Sequence, residues 1–272
     1  GIEESTLLPF IDATTQLTKG QGIYKSMFLN FNKETTAMAE NFAQSNRITL
    51  NTLMQGIWSY LLHSYTGSKD IISGTIVSGR PVDLPSVEQR VGMFINTLPL
   101  RTEMNKEIKI NEWLQEIQKD QIVSRQYQFT PLQEIQSWTG IQGDLFDNIL
   151  VFENYPLSEI VGSKEWKLKA GNMKILEQTN YPLNIFINNS EKLEINFSYN
   201  TELLKDEYVN EIRDHFENVF RQIISNNDLR LEDIKLLTKA QKEKLLFEFN
   251  DTGKEYPDSK CISELFEEQA IQ

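Results

Sequence analysis

The sequence has 272 residues, 39% of them hydrophobic and 10% aromatic, which suits one large domain or two ordinary ones and argues against wholesale disorder. Its 27 Lys and Arg against 39 Asp and Glu leave a formal net charge of -12. With no run of basic residues, that balance speaks against a general nucleic-acid or anionic-membrane surface. The single Cys261 excludes an internal disulfide framework and fits a reducing compartment. No apolar stretch approaches the roughly 20 residues that span a bilayer. The opening "GIEESTLLPF" lacks the basic region and apolar run of a signal peptide, so a cytoplasmic location is expected. With neither a starting Met nor a natural tail, the chain is expected to be an excerpt of a longer one.

In chain order, 23–31 alternates enough to predict a strand, and 33–46 a helix. Residues 49–67 predict a stronger helix, with Leu50, Leu53, Met54, Ile57, Leu61 and Leu62 at three- and four-residue steps. Thr49 is its expected N-cap, and Gly67 fits the position after its end. The β-branched run 70–79 reads as a buried strand, followed by a loop and the strand of "VGMFINTLPLR". Residues 110–128 form a long amphipathic helix, and 130–140 a short one with Thr130 as cap and Pro131 at its first position. A strand over 146–156 stops at Pro156. Two more, near 183–188 and 193–199, flank the turn "NNSEK". The last strong helix, 205–226, carries Val209, Ile212, Phe216, Val219, Phe220 and Ile223 on one face. From Leu229 the chain turns polar, with a turn-rich "NDTGKEYPDS" and a short apolar-acidic helix. Strands and helices in this mixed order predict an α/β (α+β) domain with a mixed sheet.

Most familiar chemistry is missing. One Cys and two His exclude a structural zinc site, and no phosphate-cradling glycine motif occurs. His63 reads as a helix-end residue and His215 as the neighbour of an apolar face. Cys261, although it follows Lys260, reads as an inert helix-edge thiol. Trp58, Trp113, Trp138 and Trp166 read as core or core-edge anchors.

The informative stretch is 77–101, "VSGRPVDLPSVEQRVGMFINTLPLR". Gly79 allows φ > 0, Pro81 and Pro85 fix φ, and Asp83 can bond its own backbone, which makes "SGRPVDLP" a turn. Gly92 permits close approach of a backbone or a ligand. Asn96 and Thr97 are the puzzle, because they interrupt an apolar run of Val91, Met93, Phe94, Ile95, Leu98 and Leu100. A buried amide or hydroxyl without a partner costs about 1–3 kcal/mol. The pair must be met by backbone, by a neighbour or by a visiting molecule. Two readings stay open on these residues alone, an internally bonded β-bulge or a polar element facing a ligand.

The same residues carry a family resemblance. "SGRP…VGMFINTLPLR" is similar to the G-x-F-x-N-T-x-x-x-R signature of condensation domains in nonribosomal peptide synthetases. "TLNTLMQGIWSYLLHSYTGSKDIISGTIVSGRP", "RQYQFTPLQEIQSWTG", "LFDNILVFENYP", "TNYPLNIF" and "LEINFSYNTELL" resemble other segments of that family in the expected order. The C-terminal "LLTKAQKEKLLFEFNDTGKEYP" resembles the condensation–adenylation linker, and "CISELFEEQA" the first helix of an adenylation domain. The resemblance implies residues 1–237 as the C-terminal lobe of a condensation domain and 238–272 as linker plus adenylation stub. It implies a chloramphenicol-acetyltransferase-like lobe, a mixed sheet covered by helices. The family's catalytic H-H-x-x-x-D-G motif does not occur in this sequence, so no catalytic residue is assigned to it.

The implied activity is amide bond formation between aminoacyl or peptidyl thioesters. No cofactor would be bound directly, since 4′-phosphopantetheine arrives on partner carrier proteins. Ser78, Gly79, Arg80 and Pro81 would shape the loop beneath the substrate tunnel, Gly92, Asn96 and Thr97 would belong to that tunnel and its loop, and Arg101 would anchor a strand end. Implied partners are the N-terminal lobe, upstream and downstream carrier proteins and the following adenylation domain, with no nucleic acid and no membrane. A non-catalytic docking module, or a related epimerisation or cyclisation domain, is the alternative.

Overall fold

In the computed structural model, which describes residues 1–11, 20–80, 84–153, 179–253 and 260–271, the apolar 49–67 segment becomes the centre of the core. Strand β1 (Tyr24–Asn30) and helix α1 (Lys33–Ser45) lead into α2 (Leu50–Thr66). The Thr49 side chain accepts the N–H of Thr52 at 3.1 Å, and Gly67 closes the helix at φ 75°. Every residue from Thr52 to Leu62 is buried. An amphipathic helix buries one stripe, whereas one covered on all sides packs both on the sheet and on other helices.

The remaining elements of this unit are β2 (Asp70–Val77), β3 (Asn96–Glu103), α3 (Ile110–Ser124), α4 (Leu132–Thr139), β4 (Asn148–Glu153), β5 (Leu183–Asn189), β6 (Leu193–Asn200) and α5 (Asp206–Ser225). The strands form a six-stranded mixed sheet in the order β1-β6-β5-β4-β2-β3. The β5–β4 and β4–β2 pairs are parallel, and the others are antiparallel. β2 and β4 pair at only two positions, Gly74 with Ile149 and Thr75 with Leu150.

Strand alternation sorts side chains onto two faces. One face carries Ile71, Leu100, Leu150, Ile185, Phe197 and Tyr199 into the main core beneath α1, α2, α3 and α5. The α5 stripe Val209, Ile212, Phe216, Val219, Phe220 and Ile223 is fully buried there. The other face holds a smaller cluster of Ile72, Leu145, Phe146 and Ile149, with Leu132 and Ile135 of α4 packed on it. The two polar groups deepest in the main core are paired. Trp58 Nε1 donates to Asn148 Oδ1 at 2.8 Å, and Gln55 Nε2 donates to Thr75 Oγ1 at 2.8 Å.

Several expectations shift. α3 ends at Ser124, followed by a 3-10 turn over Arg125–Tyr127, rather than running to 128. Pro131 disfavours helical geometry at Thr130, and the Gln128 and Thr130 carbonyls are taken by a side chain from β3. Pro131 itself, with ψ 136°, caps α4, which starts one residue later than expected. Strand β4 starts at Asn148 rather than 146, because Phe146 instead bridges Thr6 of the N-terminal segment. Trp138 is exposed, not a core anchor, since it sits off the Leu132–Ile135 stripe. Trp58 and Trp113 are buried, and Trp166, Asp83 and Pro156 lie outside the described residues. Both histidines are bonded structurally, His63 Nδ1 to the Ser68 carbonyl and His215 Nδ1 to the Tyr65 hydroxyl at 3.0 Å.

The chain divides into two compact units, Gly1–Leu236 and Leu237–Gln272. The second contains α6 (Lys239–Glu243), a π-helical stretch over Lys244–Glu248, and α7 (Ile262–Ile271). Thr238 and Gln241 form a capping box at the start of α6. No helix among the described residues is long and apolar enough to cross a membrane.

Candidate functional site

The β2–β3 connection builds the site from a tight turn and a latch. Gly79 sits at φ 62°, and a Cβ there would collide with the Phe94 carbonyl. Only glycine lets the two arms of the loop close on each other. Arg80 then crosses the loop, with its guanidinium 4.4 Å from the Phe94 ring centroid. Its Nη1 donates to the carbonyls of Val87 and, at 3.2 Å, Arg90. Ser78 is exposed, and Pro81 lies outside the described residues.

The apolar run before Asn96 is not buried. Val91 and Met93 are fully exposed and Ile95 largely so, because strand pairing begins only at Asn96. Gly92 is exposed too, and its near neighbour is the Phe94 ring.

Asn96 is met entirely by backbone. Its Nδ2 donates to the carbonyls of Gln128 (3.0 Å) and Thr130 (2.8 Å), and its Oδ1 accepts the N–H of Thr97 at 2.9 Å. The register from Asp70–Glu103 to Val77–Asn96 is unbroken, so there is no bulge. Met104 N–H bonds to the Lys69 carbonyl, which fixes the alternation and turns Thr97, Pro99, Arg101 and Glu103 to the open edge of β3. That edge is blunted. Asn96 occupies the Thr97 N–H, Pro99 has none, and Trp113 Nε1 donates to the Glu103 carbonyl at 3.0 Å. At the far end, Arg101 pairs with Asp70 (2.9 Å) and Glu103 (2.7 Å).

Thr97 pairs with Ile76 and lines a cleft of about 770 Å³. Its walls include Ile149, Leu132 and Gln136, with Phe146 and Tyr181 stacked at 5.5 Å. Asn96 does not line it. The cleft opens where β2 and β4 stop pairing, just past Gly74 and Thr75. Tyr24 OH donates to the Thr179 and Tyr181 carbonyls at its far side, both at 3.2 Å. Burial raises the Asp147 carboxyl, against the hydrogen bonds that Asn148 and the Leu8 N–H give it. Burial, then Asp144, pushes the Tyr181 hydroxyl up to about 12. Among the described residues no cluster of His, Cys, Asp and Glu is arranged to hold a metal ion.

The expected residues therefore separate. Gly79, Arg80 and Asn96 hold the loop, Thr97 faces the cleft, and Ser78 and Gly92 face outward. Sequence reasoning missed Phe146 and Tyr181, both within segments whose order it recognised. The signal was Gly74, a glycine inside a β-branched strand, which marks close approach by a neighbour.

A family model described as condensation domain matches residues 3–246. A linear gramicidin synthase of Brevibacillus parabrevis is 34% identical over 274 residues, covering 99% of this chain and 4% of that protein. Tyrocidine synthase 3 of the same organism is 37% identical over 245 residues, covering 87% and 4%. Bacitracin synthase 3 of Bacillus licheniformis is 32% identical over 274 residues, covering 99% and 4%. The chain thus spans 4% of the length of each of these relatives. Among solved structures, the first condensation domain of the CDA synthetase superposes with TM-score 0.65 at 15% identity, over 82% of this chain and 49% of that one. The X-domain from teicoplanin biosynthesis gives 0.68 at 19% identity, over 87% and 54%. At these identities the likeness is of fold, the chloramphenicol-acetyltransferase-like architecture.

Proposed function

The chain belongs to the condensation domain family, and from that membership we propose that it supplies one lobe of an enzyme that joins two carrier-bound acyl groups. The acceptor's α-amine attacks the donor's thioester carbonyl. A C–N bond forms, the C–S bond breaks, the donor arm leaves as a thiol, and the amine loses a proton. Both groups arrive on 4′-phosphopantetheine arms, and holding them in one tunnel contributes several kcal/mol through proximity, of the roughly 7–11 kcal/mol possible.

In this reading residues 1–237 are the C-terminal lobe and 238–272 the linker and adenylation stub. The division between Leu236 and Leu237 supports a boundary there. The partners are the other lobe, the carrier proteins on either side and the following adenylation domain. The H-H-x-x-x-D-G group that would position the amine or assist proton transfer belongs to the other lobe, since this sequence has no adjacent histidines. What this lobe contributes is shape. Gly79, Arg80 and Asn96 hold the β2–β3 arch, and the arch holds Thr97 at the cleft.

The observation that carries the reading is the 244-residue span of the family match, 3–246, containing a latched "INT" at the mouth of a cleft. Two loaded carrier proteins offered to the parent synthetase should give amide product. The 272-residue chain alone should give none, because general acid–base help is worth about 10²–10⁴-fold and half the tunnel is missing. Turnover by the chain alone would overturn the assignment of proton transfer to the other lobe.

A further inference from the structure

The cleft beside Thr97 is chemically one-sided. Its floor is Ile76 on β2, Ile149 on β4, Leu132 on α4 and the stacked rings of Phe146 and Tyr181. Phe146 lies flat against β2 only because Gly74 has no side chain. A Cβ at that position would overlap both the Phe146 ring and Ile149. The depth of the cleft is therefore set by a stack of three residues, Gly74, Phe146 and Tyr181.

Charge makes the second selection. The charged lining residues are Asp144 and Asp147, and no Lys, Arg or His appears among the described residues that line it. Burial raises both the Asp147 carboxyl and the Tyr181 hydroxyl, so the wall is desolvated where it meets the aromatic floor. A volume of about 770 Å³ matches a small-molecule site rather than a protein interface.

We infer that this cleft receives the side chain of an apolar, aromatic-sized aminoacyl group bearing a free amine, and that Gly74, Phe146 and Tyr181 set its side-chain preference. An acidic side chain would enter a negative, desolvated pocket with no cation to meet it. A small side chain would leave the apolar floor in contact with water. A free amine suits both the carboxylates and the faces of the two rings. The aminoacyl identity of the ligand rests on the condensation reading; the selectivity of the cleft does not.

The test is calorimetric titration of the 272-residue chain with phenylalanyl, alanyl and glutamyl amides of aminopantetheine, which cannot turn over. Phenylalanyl should bind tightest, at least about tenfold ahead of glutamyl, with alanyl between. Ile76→Trp fills the cleft from its β2 rim and should weaken phenylalanyl binding about tenfold or more at an unchanged melting temperature. Leu132→Trp fills it from α4 and does the same should the first variant misfold. Phe146→Leu should shift the preference towards a tryptophanyl amide. Equal affinities, no phenylalanyl binding, or full affinity in a folded filled variant would overturn the inference. None of these results touches the condensation reading, which stands or falls on amide formation by the parent synthetase.

Discussion

Asn96 shows how one side chain serves two elements. It closes the open edge of β3 at Thr97 and ties that strand to the turn before α4 through the Gln128 and Thr130 carbonyls. Asn96→Ala removes both donors and the acceptor, leaving partly buried carbonyls unpaired, and should cost about 1–3 kcal/mol in urea titrations. Asn96→Asp keeps the acceptor but sets a carboxylate against two carbonyls, so its loss should equal or exceed that of alanine. Stability within about 0.5 kcal/mol of the parent for both variants, the range of an ordinary surface change, would show that the latch carries no weight. Arg101 contrasts with it. Its ion pairs are exposed enough that about 0–1 kcal/mol is the expected contribution.

At the scale of elements, helix packing depends on glycine where two backbones approach. Gly56 lies inside α2, and a Cβ there would overlap Leu114 Cδ2 of α3. Alanine in a helix interior gains up to about 1 kcal/mol over glycine. Overpacking against a side chain as buried as Leu114 costs about 1–3 kcal/mol. The second effect should win, so Gly56→Ala is expected to lower the melting temperature although it favours the helix. A raised melting temperature would mean that α3 can shift to make room. The same close approach lets Gln121 of α3 reach Gln55 of α2, which in turn bonds Thr75 on the sheet.

For the whole molecule, the distribution of buried apolar residues separates the two units. Every residue of both hydrophobic clusters lies at or before Leu236, while Leu245, Leu246, Phe247, Phe249, Ile262 and Phe266 of the second unit are exposed. A chain ending at Leu237 should therefore melt within a few degrees of the parent, given that 1 kcal/mol moves a domain of 150–250 residues by roughly 2–4 °C. A drop well beyond that would show that residues 238–272 help to hold the first unit together.

Local chemistry alone specifies several of these elements. The α2 periodicity with its Thr49 cap and Gly67 stop, the α5 stripe and the mixed α/β order are legible in the sequence because helix and strand periods are local properties. Membership of the condensation family was legible in the same way, through ordered motifs around "SGRP" and "INTLPLR". What Asn96 bonds, and which side of it faces a cleft, was settled only in three dimensions. Its partners lie 32 and 34 residues away, in a turn whose position depends on how α3 packs on α2. The apolar run at 91–95 misled for the same reason, since hydrophobicity marks burial only where a neighbouring strand is present to bury it. The cleft itself needed β2 and β4 to part after two residue pairs and Phe146 to find the bare backbone of Gly74. Those contacts join residues more than seventy positions apart, beyond the reach of any local pattern.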